Sequence, residues 1–185
     1  MSDRRSFIVG GALLAAAGWA GGRDALRGIT RWHTLGPLPP GVPAPSFRLY
    51  RVGGGTMGLD DLAGAINIIT FWATWCGVCR TELVDLDALA VEYAQQQDVK
   101  FLAVNHEGGG LGRRQVERAI AHYQEKTGLA LPVVMDDGST SKAFRVRPIP
   151  HTIVLDRQSM VRYVHVGRVS ASTLRAEIDR LLQGD

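Results

Sequence analysis

The segment Phe71–Glu82 reads FWATWCGVCRTE. It closes a run, Ala65-Ile66-Asn67-Ile68-Ile69-Thr70-Phe71-Trp72, that is almost continuously apolar and rich in β-branched residues, as a strand buried on both faces is. Downstream, Leu83, Leu86, Ala90 and Tyr93 recur at spacings of three and four, which predicts a helix with one apolar face. The two cysteines therefore fall at a strand-to-helix junction. Cys76 lies where the helix begins, and unpaired backbone N–H groups and the helix dipole favour negative charge there. A thiol reacts as its thiolate and a free cysteine titrates near pH ~8.5, so this position favours reactivity at Cys76. Arg80 is close in sequence and adds positive charge. Cys79 falls about one turn into the helix, beneath Cys76, where it can attack a mixed disulfide formed at Cys76 and resolve it. Gly77 permits close backbone approach at the tight start of the helix.

These are the only two cysteines in 185 residues. A disulfide framework normally uses more cysteines in a smaller chain. A bridge across so short a loop also removes little freedom from the unfolded chain. The pair therefore reads as reactive rather than structural. A hydrophobic content of 45% and a charged content of 21% are ordinary for a globular protein, and the length suits one domain with an extension. The net charge of +3 is mild, and no basic stripe is interleaved with aromatics, so nucleic acid is not a partner this sequence implies.

Working outward, Phe47–Val52 and Thr56–Met57 read as short strands around Gly53-Gly54-Gly55, and Asp60–Leu62 as a helical turn. Val99–Val104 is the next buried strand; strand, helix, strand implies a right-handed crossover and parallel pairing. Arg113–Thr127 is predicted as a helix ended by Gly128, Leu131–Met135 as a strand and Ser139–Phe144 as a helical turn. Thr152–Asp156 and Met160–Val166 form a hairpin, and Ser170–Leu182 closes the chain as an amphipathic helix. The fold class expected is α/β with a central mixed sheet flanked by helices, an N-terminal strand extension and a central αβ insertion.

The N-terminus is of a different kind. Arg4 and Arg5 precede an apolar run, Phe7–Ala20, of about 14 residues, short against the roughly 20 a spanning helix needs. Gly18-Trp19-Ala20 puts small residues at both cleavage-determining positions. Residues 1–20 are thus expected to be a signal peptide, with Arg4-Arg5 resembling a twin-arginine signal, or an uncleaved membrane anchor. Removing them changes the net charge from +3 to about +2, because Arg4, Arg5 and Asp3 leave together. Residues 21–42 read as a linker and 43–185 as the folded domain; Trp32 and His33 carry no chemical role.

The segment Phe71–Glu82 resembles the active site of the thioredoxin superfamily, and most closely its exported TlpA-like branch. Four other stretches share that resemblance in order: Ala44-Pro45-Ser46-Phe47-Arg48-Leu49, Gly58-Leu59-Asp60-Asp61-Leu62-Ala63-Gly64, Ile149-Pro150-His151-Thr152 and Tyr163-Val164-His165-Val166-Gly167. It covers roughly residues 43–183. It implies a thioredoxin fold and an exported thiol-disulfide oxidoreductase that reduces disulfides in extracytoplasmic proteins, such as those of cytochrome c or oxidase assembly. It implies a periplasmic location, a membrane thiol-disulfide electron donor, and no cofactor beyond the redox-active Cys76–Cys79 disulfide. Pro150 would be cis against the cysteines and leave the backbone of Ile149 to pair with an extended substrate. Glu82 matches a glutamate common in the branch and is a candidate to accept and return protons near Cys79, or else a solvated surface charge. Thr70 stands where thioredoxin proper has a buried aspartate. Val78 stands where the family most often has proline, which bears on redox potential. Trp75, with Gly77 and Val78, would form the peptide-binding surface around Cys76.

Other residues carry weaker signals. Asn105-His106-Glu107-Gly108-Gly109-Gly110 ends the strand parallel to the one before Cys76, on the same sheet edge, and reads as a polar connection or a loop that touches substrate. His151 is either close to Cys76, where a cationic ring would favour the thiolate, or a strand residue facing solvent. Trp72 is expected in the core, and His122 and His165 have no visible partners. Two rivals remain: a copper-binding assembly factor using Cys76, Cys79 and either His106 or His151, and a thiol peroxidase, against which Ala73-Thr74-Trp75 lacks a proline before Cys76.

Overall fold

The computed structural model describes residues 36–107 and 112–184. The predicted export segment, Trp32, His33, most of the expected linker and Gly108–Gly110 lie outside the described residues. In chain order the elements are β1 (Arg48–Arg51), β2 (Thr56–Gly58), a 3-10 turn (Leu59–Leu62), β3 (Ile66–Trp72), α1 (Gly77–Glu92), β4 (Val99–Asn105), α2 (Arg113–Thr127), β5 (Val133–Met135), α3 (Ser139–Ala143), β6 (His151–Leu155), β7 (Val161–Val166) and α4 (Ala171–Leu182).

The seven strands form one mixed sheet in the order β2-β1-β5-β4-β3-β6-β7. β3 lies parallel to β4, from Ile66 opposite Val99 to Trp72 opposite Asn105, and β4 lies parallel to β5. On its other side β3 pairs antiparallel with β6, and β6 with β7. Every residue of β3 is buried, because a near-central strand is covered on both faces. Alternation then divides its side chains between two cores. Ile66, Ile68 and Trp72 meet Leu83, Leu86 and Leu89 of α1 and Leu174, Ile178 and Leu181 of α4. Ile69 and Phe71 meet Leu102, Val104, Ile153, Phe47 and Phe144 on the opposite face. Phe144 stands edge-on to Phe47 at 5.9 Å and tilted to Phe71 at 5.6 Å.

Three local differences from the sequence-based expectation have physical causes. β5 starts at Val133 rather than Leu131, because Pro132 has no N–H to give a ladder. The N–H groups of Ala130 and Leu131 instead donate to Asp87 of α1, at 3.0 and 3.1 Å. The hairpin strand β7 starts at Val161, since Asp156 Oδ1 accepts from Gln158 and Met160 and extends the turn. Finally, residues just before the first strand run along the β7 edge. Gly41 N–H donates to Val161 at 2.7 Å, Val161 N–H returns a bond to Val42 at 2.8 Å, and Leu38 is buried in the second core. This pairing covers the Val161 end of the β7 edge.

Helix ends follow their sequence signals. Gly128 takes φ 73° after α2, a conformation that suits glycine, and its N–H reaches Gln124. Ser170 precedes α4, and its Oγ accepts from Thr173 N–H at 3.1 Å. A Ser170→Ala variant is expected to lose about 1 kcal/mol of stability, the usual worth of an N-cap, read as a lower urea midpoint at unchanged m-value.

Candidate active site

β3 delivers the chain to the carboxyl edge of the sheet, and Ala73-Thr74-Trp75 turns it into α1. Cys76 is the N-cap of α1, in extended backbone geometry, and its N–H donates to Ala73 at 3.1 Å. Cys76 and Cys79 form a disulfide with Cα atoms 5.3 Å apart. Cys79 N–H also points at Cys76 Sγ, at 3.2 Å. That is a capping interaction made by sulfur, and it places a helix N–H on the atom that would carry thiolate charge. The two cysteines differ in exposure: Cys76 is 8% exposed and Cys79 1%. Trp75 and Val78 are exposed apolar side chains on either side of Cys76, 65% and 55% accessible, with Gly77 open between them. The Ile149–Pro150 bond is cis, and Pro150 C=O accepts from Gly167 N–H at 2.9 Å. Arg80 reaches toward Tyr123 of α2, where its charge opposes the upward push that burial gives the Tyr123 phenol.

Glu82 is not a solvated surface charge. It is 1% exposed and points from α1 toward the sheet. Its Oε1 accepts from Thr152 at 2.6 Å and Thr70 at 3.2 Å, and its Oε2 accepts from Val169 N–H at 2.9 Å. The threonine at position 70 is small enough to admit this carboxylate beside it. Glu82 stands three positions after Cys79, so the two neighbour one another on one face of α1.

Glu107 holds the approach to Cys76, a role that its place in a polar connection did not suggest. Its Oε2 accepts from Thr74 N–H at 3.1 Å and Asn105 Nδ2 at 3.0 Å, and Thr74 Oγ1 bonds to its Oε1. Its backbone carbonyl accepts from Trp75 Nε1 at 3.1 Å. Glu107 therefore fixes both residues that precede Cys76. The available signal was its position two residues past β4, on the edge where β3 also ends.

The histidines fall elsewhere. His151 neither faces solvent nor carries a positive charge toward Cys76. It pairs in register with Phe71, on the face away from Glu82, and stands edge-on to that ring at 6.4 Å. It is 1% exposed, and burial, helped by the charge of His165, holds its pKa down to about 4, so the ring is neutral. His106 bonds to Asp136 at 2.6 Å, and both line a cavity of about 460 Å³ with Tyr50, Asn105 and Arg113. His165 does have a partner, Glu177 of α4 at 3.0 Å. Trp72 is fully buried and packs against Tyr123 at 5.2 Å.

Known proteins share this architecture. The sequence profile of the AhpC/TSA family matches residues 40–164. Thioredoxin-like protein YneN of Bacillus subtilis (strain 168) is 31% identical over 142 residues, spanning 77% of this chain and 80% of that protein. Thiol-disulfide oxidoreductase ResA of Halalkalibacterium halodurans is 30% identical over 128 residues, 69% of this chain and 68% of its own. Among solved structures, a thiol:disulfide interchange protein of the thioredoxin family from Chlorobium tepidum TLS superposes with a TM-score of 0.66 at 26% identity, covering 80% of this chain and 99% of that one. A cysteine pair at a helix start, within this sheet order and with these relatives, leads to one assignment: the chain belongs to the AhpC/TSA family, in its thioredoxin-like, TlpA-like branch, and is a thiol-disulfide oxidoreductase.

Proposed function

We propose that this enzyme reduces disulfides in exported proteins, with Cys76 as nucleophile and Cys79 as resolving thiol. The observation that carries the reading is the bonded Cys76–Cys79 pair at the N-terminus of α1, with Cys76 the more exposed residue. The reduced enzyme attacks a substrate disulfide through the Cys76 thiolate. One substrate sulfur leaves as a thiolate, and a Cys76–substrate mixed disulfide forms. Cys79 then gives its proton to Glu82 and attacks Cys76 Sγ. The bond to the substrate breaks, the second substrate sulfur leaves with the electron pair and is protonated, and the Cys76–Cys79 disulfide remains. The enzyme has lost two electrons and the substrate has gained them. Trp75, Gly77 and Val78 form the contact surface around Cys76, and Ile149 beside Pro150 pairs with an extended substrate segment.

The place of action in this reading is the periplasm. The N-terminal residues serve as an export signal or an anchor on the outer face of the inner membrane, and a membrane thiol-disulfide protein supplies electrons. Cytochrome c and oxidase assembly proteins are the substrate class it names. Equilibration with glutathione buffers tests the direction of electron flow. A potential near that of thioredoxin, about −270 mV, is expected; one near −120 mV, the range of strong oxidants, overturns the reductant reading. Two side measurements separate the rivals. Tight stoichiometric Cu(I) binding by the reduced protein that is lost in Cys76→Ala favours a copper carrier, and peroxide consumption at enzymatic rates favours a peroxidase.

A further inference from the structure

Three oxygens close a ring at Glu82, one helical turn along α1 from Cys79. Glu82 Oε1 lies 2.6 Å from Thr152 Oγ1, Thr152 Oγ1 lies 2.9 Å from Thr70 Oγ1, and Thr70 Oγ1 lies 3.2 Å from Glu82 Oε1. All three residues are buried, at 1%, 0% and 2% exposure for Glu82, Thr152 and Thr70. The ring is assembled from three elements. Thr70 and Thr152 are register partners on β3 and β6, on the face that α1 covers with Glu82.

Counting protons gives the ring a function. Each hydroxyl has one proton to donate. Around an ionised Glu82 both protons are drawn to Oε1, and the contact between the two threonine oxygens has none. When Oε1 itself holds a proton, every contact is a hydrogen bond: Glu82 donates to Thr152, Thr152 to Thr70, and Thr70 back to Glu82. Passing between the two states needs only rotation of hydroxyls, with no heavy atom displaced. Meanwhile Oε2 stays anchored by Val169 N–H at 2.9 Å. We propose that Thr70 and Thr152 are positioning residues that present Oε1 of Glu82 to Cys79 and let it accept, store and return the thiol proton by turning a ring of three hydrogen bonds.

This rests on the reading of Glu82 as the proton acceptor and extends it to two residues that never touch a sulfur-bound substrate. The step balances: the Cys79 S–H bond breaks, its proton goes to Oε1, and its electron pair forms the bond to Cys76 Sγ as the substrate sulfur leaves with its own pair. The charged groups around the ring are otherwise engaged. On α1, Asp85 pairs with Arg168 from the loop after β7 at 2.7 Å. On β7, His165, the register partner of Thr152, pairs with Glu177 of α4. On β3 and β6 the neighbouring titratable group, His151, lies on the opposite face. Cys79 is then the proton source closest along α1.

The test uses the near-isosteric variants Thr152→Val and Thr70→Val, with Thr152→Ser as the conservative control. Resolution is followed in single-turnover experiments as release of a model peptide thiol from the Cys76 mixed disulfide, across pH. Redox-difference infrared spectra, assigned with Glu82→Gln, follow the carboxyl in parallel. Thr152→Val is expected to slow resolution about tenfold, a part of what a positioned proton acceptor contributes, and to move the midpoint of the pH–rate profile. Thr70→Val should do the same more weakly, and Thr152→Ser should restore both rate and midpoint. The carboxyl signal lost in Glu82→Gln should shift in both valine variants. Should the valine variants slow the reaction equally at every pH with an unshifted carboxyl signal, the threonines are only packing and the proposal is overturned. It is overturned equally if Thr152→Val has its full effect in a Glu82→Gln background. Failure of the underlying reading looks different: Glu82→Gln itself would then leave the rate and its pH dependence unchanged. If Thr152→Val does not fold, Thr70→Val carries the same comparison.

Discussion

A Cys79→Ala variant is expected to accumulate as covalent adducts through Cys76, and a Cys76→Ala variant to form none. The asymmetry follows from the start of α1. Cys76 is the more exposed cysteine, flanked by exposed Trp75 and Val78, and Cys79 N–H points at its Sγ. Cys79 is buried beneath it and can meet a substrate sulfur only after Cys76 has brought it there. With Cys79 gone the mixed disulfide has no internal attacker, so it persists until an outside thiol cleaves it. Catalytic disulfide reduction in either variant is expected to fall below about a thousandth of the wild-type rate, on the scale of losing a covalent nucleophile. Both proteins should still fold. The bridge joins residues only three apart in sequence, and chain entropy assigns so short a loop no more than about 2 kcal/mol. Non-reducing electrophoresis and mass spectrometry of the adducts read the result. Absence of any adduct with Cys79→Ala, in protein shown to be folded, would count decisively against Cys76 as the attacking sulfur.

Acid should weaken the fold through His151. Its ring is buried beside Phe71, neither nitrogen has a hydrogen-bond partner among the described residues, and its pKa is held down to about 4 from the ordinary 6.5. The unfolded chain therefore binds one more proton than the folded one between those values. Linkage then makes stability rise with pH across that window: the contribution is complete above about 6.5 and is lost as pH falls toward 4. A shift of this size corresponds to roughly 3 kcal/mol, at 1.36 kcal/mol per pH unit. His151→Leu removes the titration and keeps an apolar side chain of similar bulk. Urea unfolding at a series of pH values is expected to show the wild type losing about that much more than the variant between pH 6.5 and 4. At neutral pH the variant should match or exceed the wild type, because a buried imidazole without partners costs about 1–3 kcal/mol. Parallel pH curves for the two proteins would sink this assignment.

Much of the architecture is legible in the chain itself. The order of strands and helices follows from period-two and period-three-to-four patterns, and the mixed sheet from one crossover and one hairpin. Where boundaries moved, the cause was a partner far along the chain, as when Asp87 of α1 took the N–H groups of Ala130 and Leu131. Residues 41 and 42 close the expected linker, yet Gly41 and Val42 pair with Val161. No local periodicity encodes that pairing.

The feature that decides the fold, the run from Phe71 to Glu82, illustrates the division. The sequence alone determined that Cys76 and Cys79 stand where a buried strand gives way to a helix, because burial and periodicity are local properties of the chain. It offered Glu82 two readings, solvated charge or proton acceptor, and His151 two more. Tertiary structure removed the solvated reading of Glu82 and both readings of His151. Glu82 is inside because β3, β6 and the loop after β7 bring Thr70, Thr152 and Val169 to it from 12, 70 and 87 positions away. His151 is neutral because its register with Phe71 turns it into the opposite core, a face that the pairing of β3 with β6 selects. Glu107 grips Thr74 across 33 positions because β4 ends beside β3. A side chain's face is written in its neighbours along the strand; the groups waiting on that face are set by which strands pair and in what register.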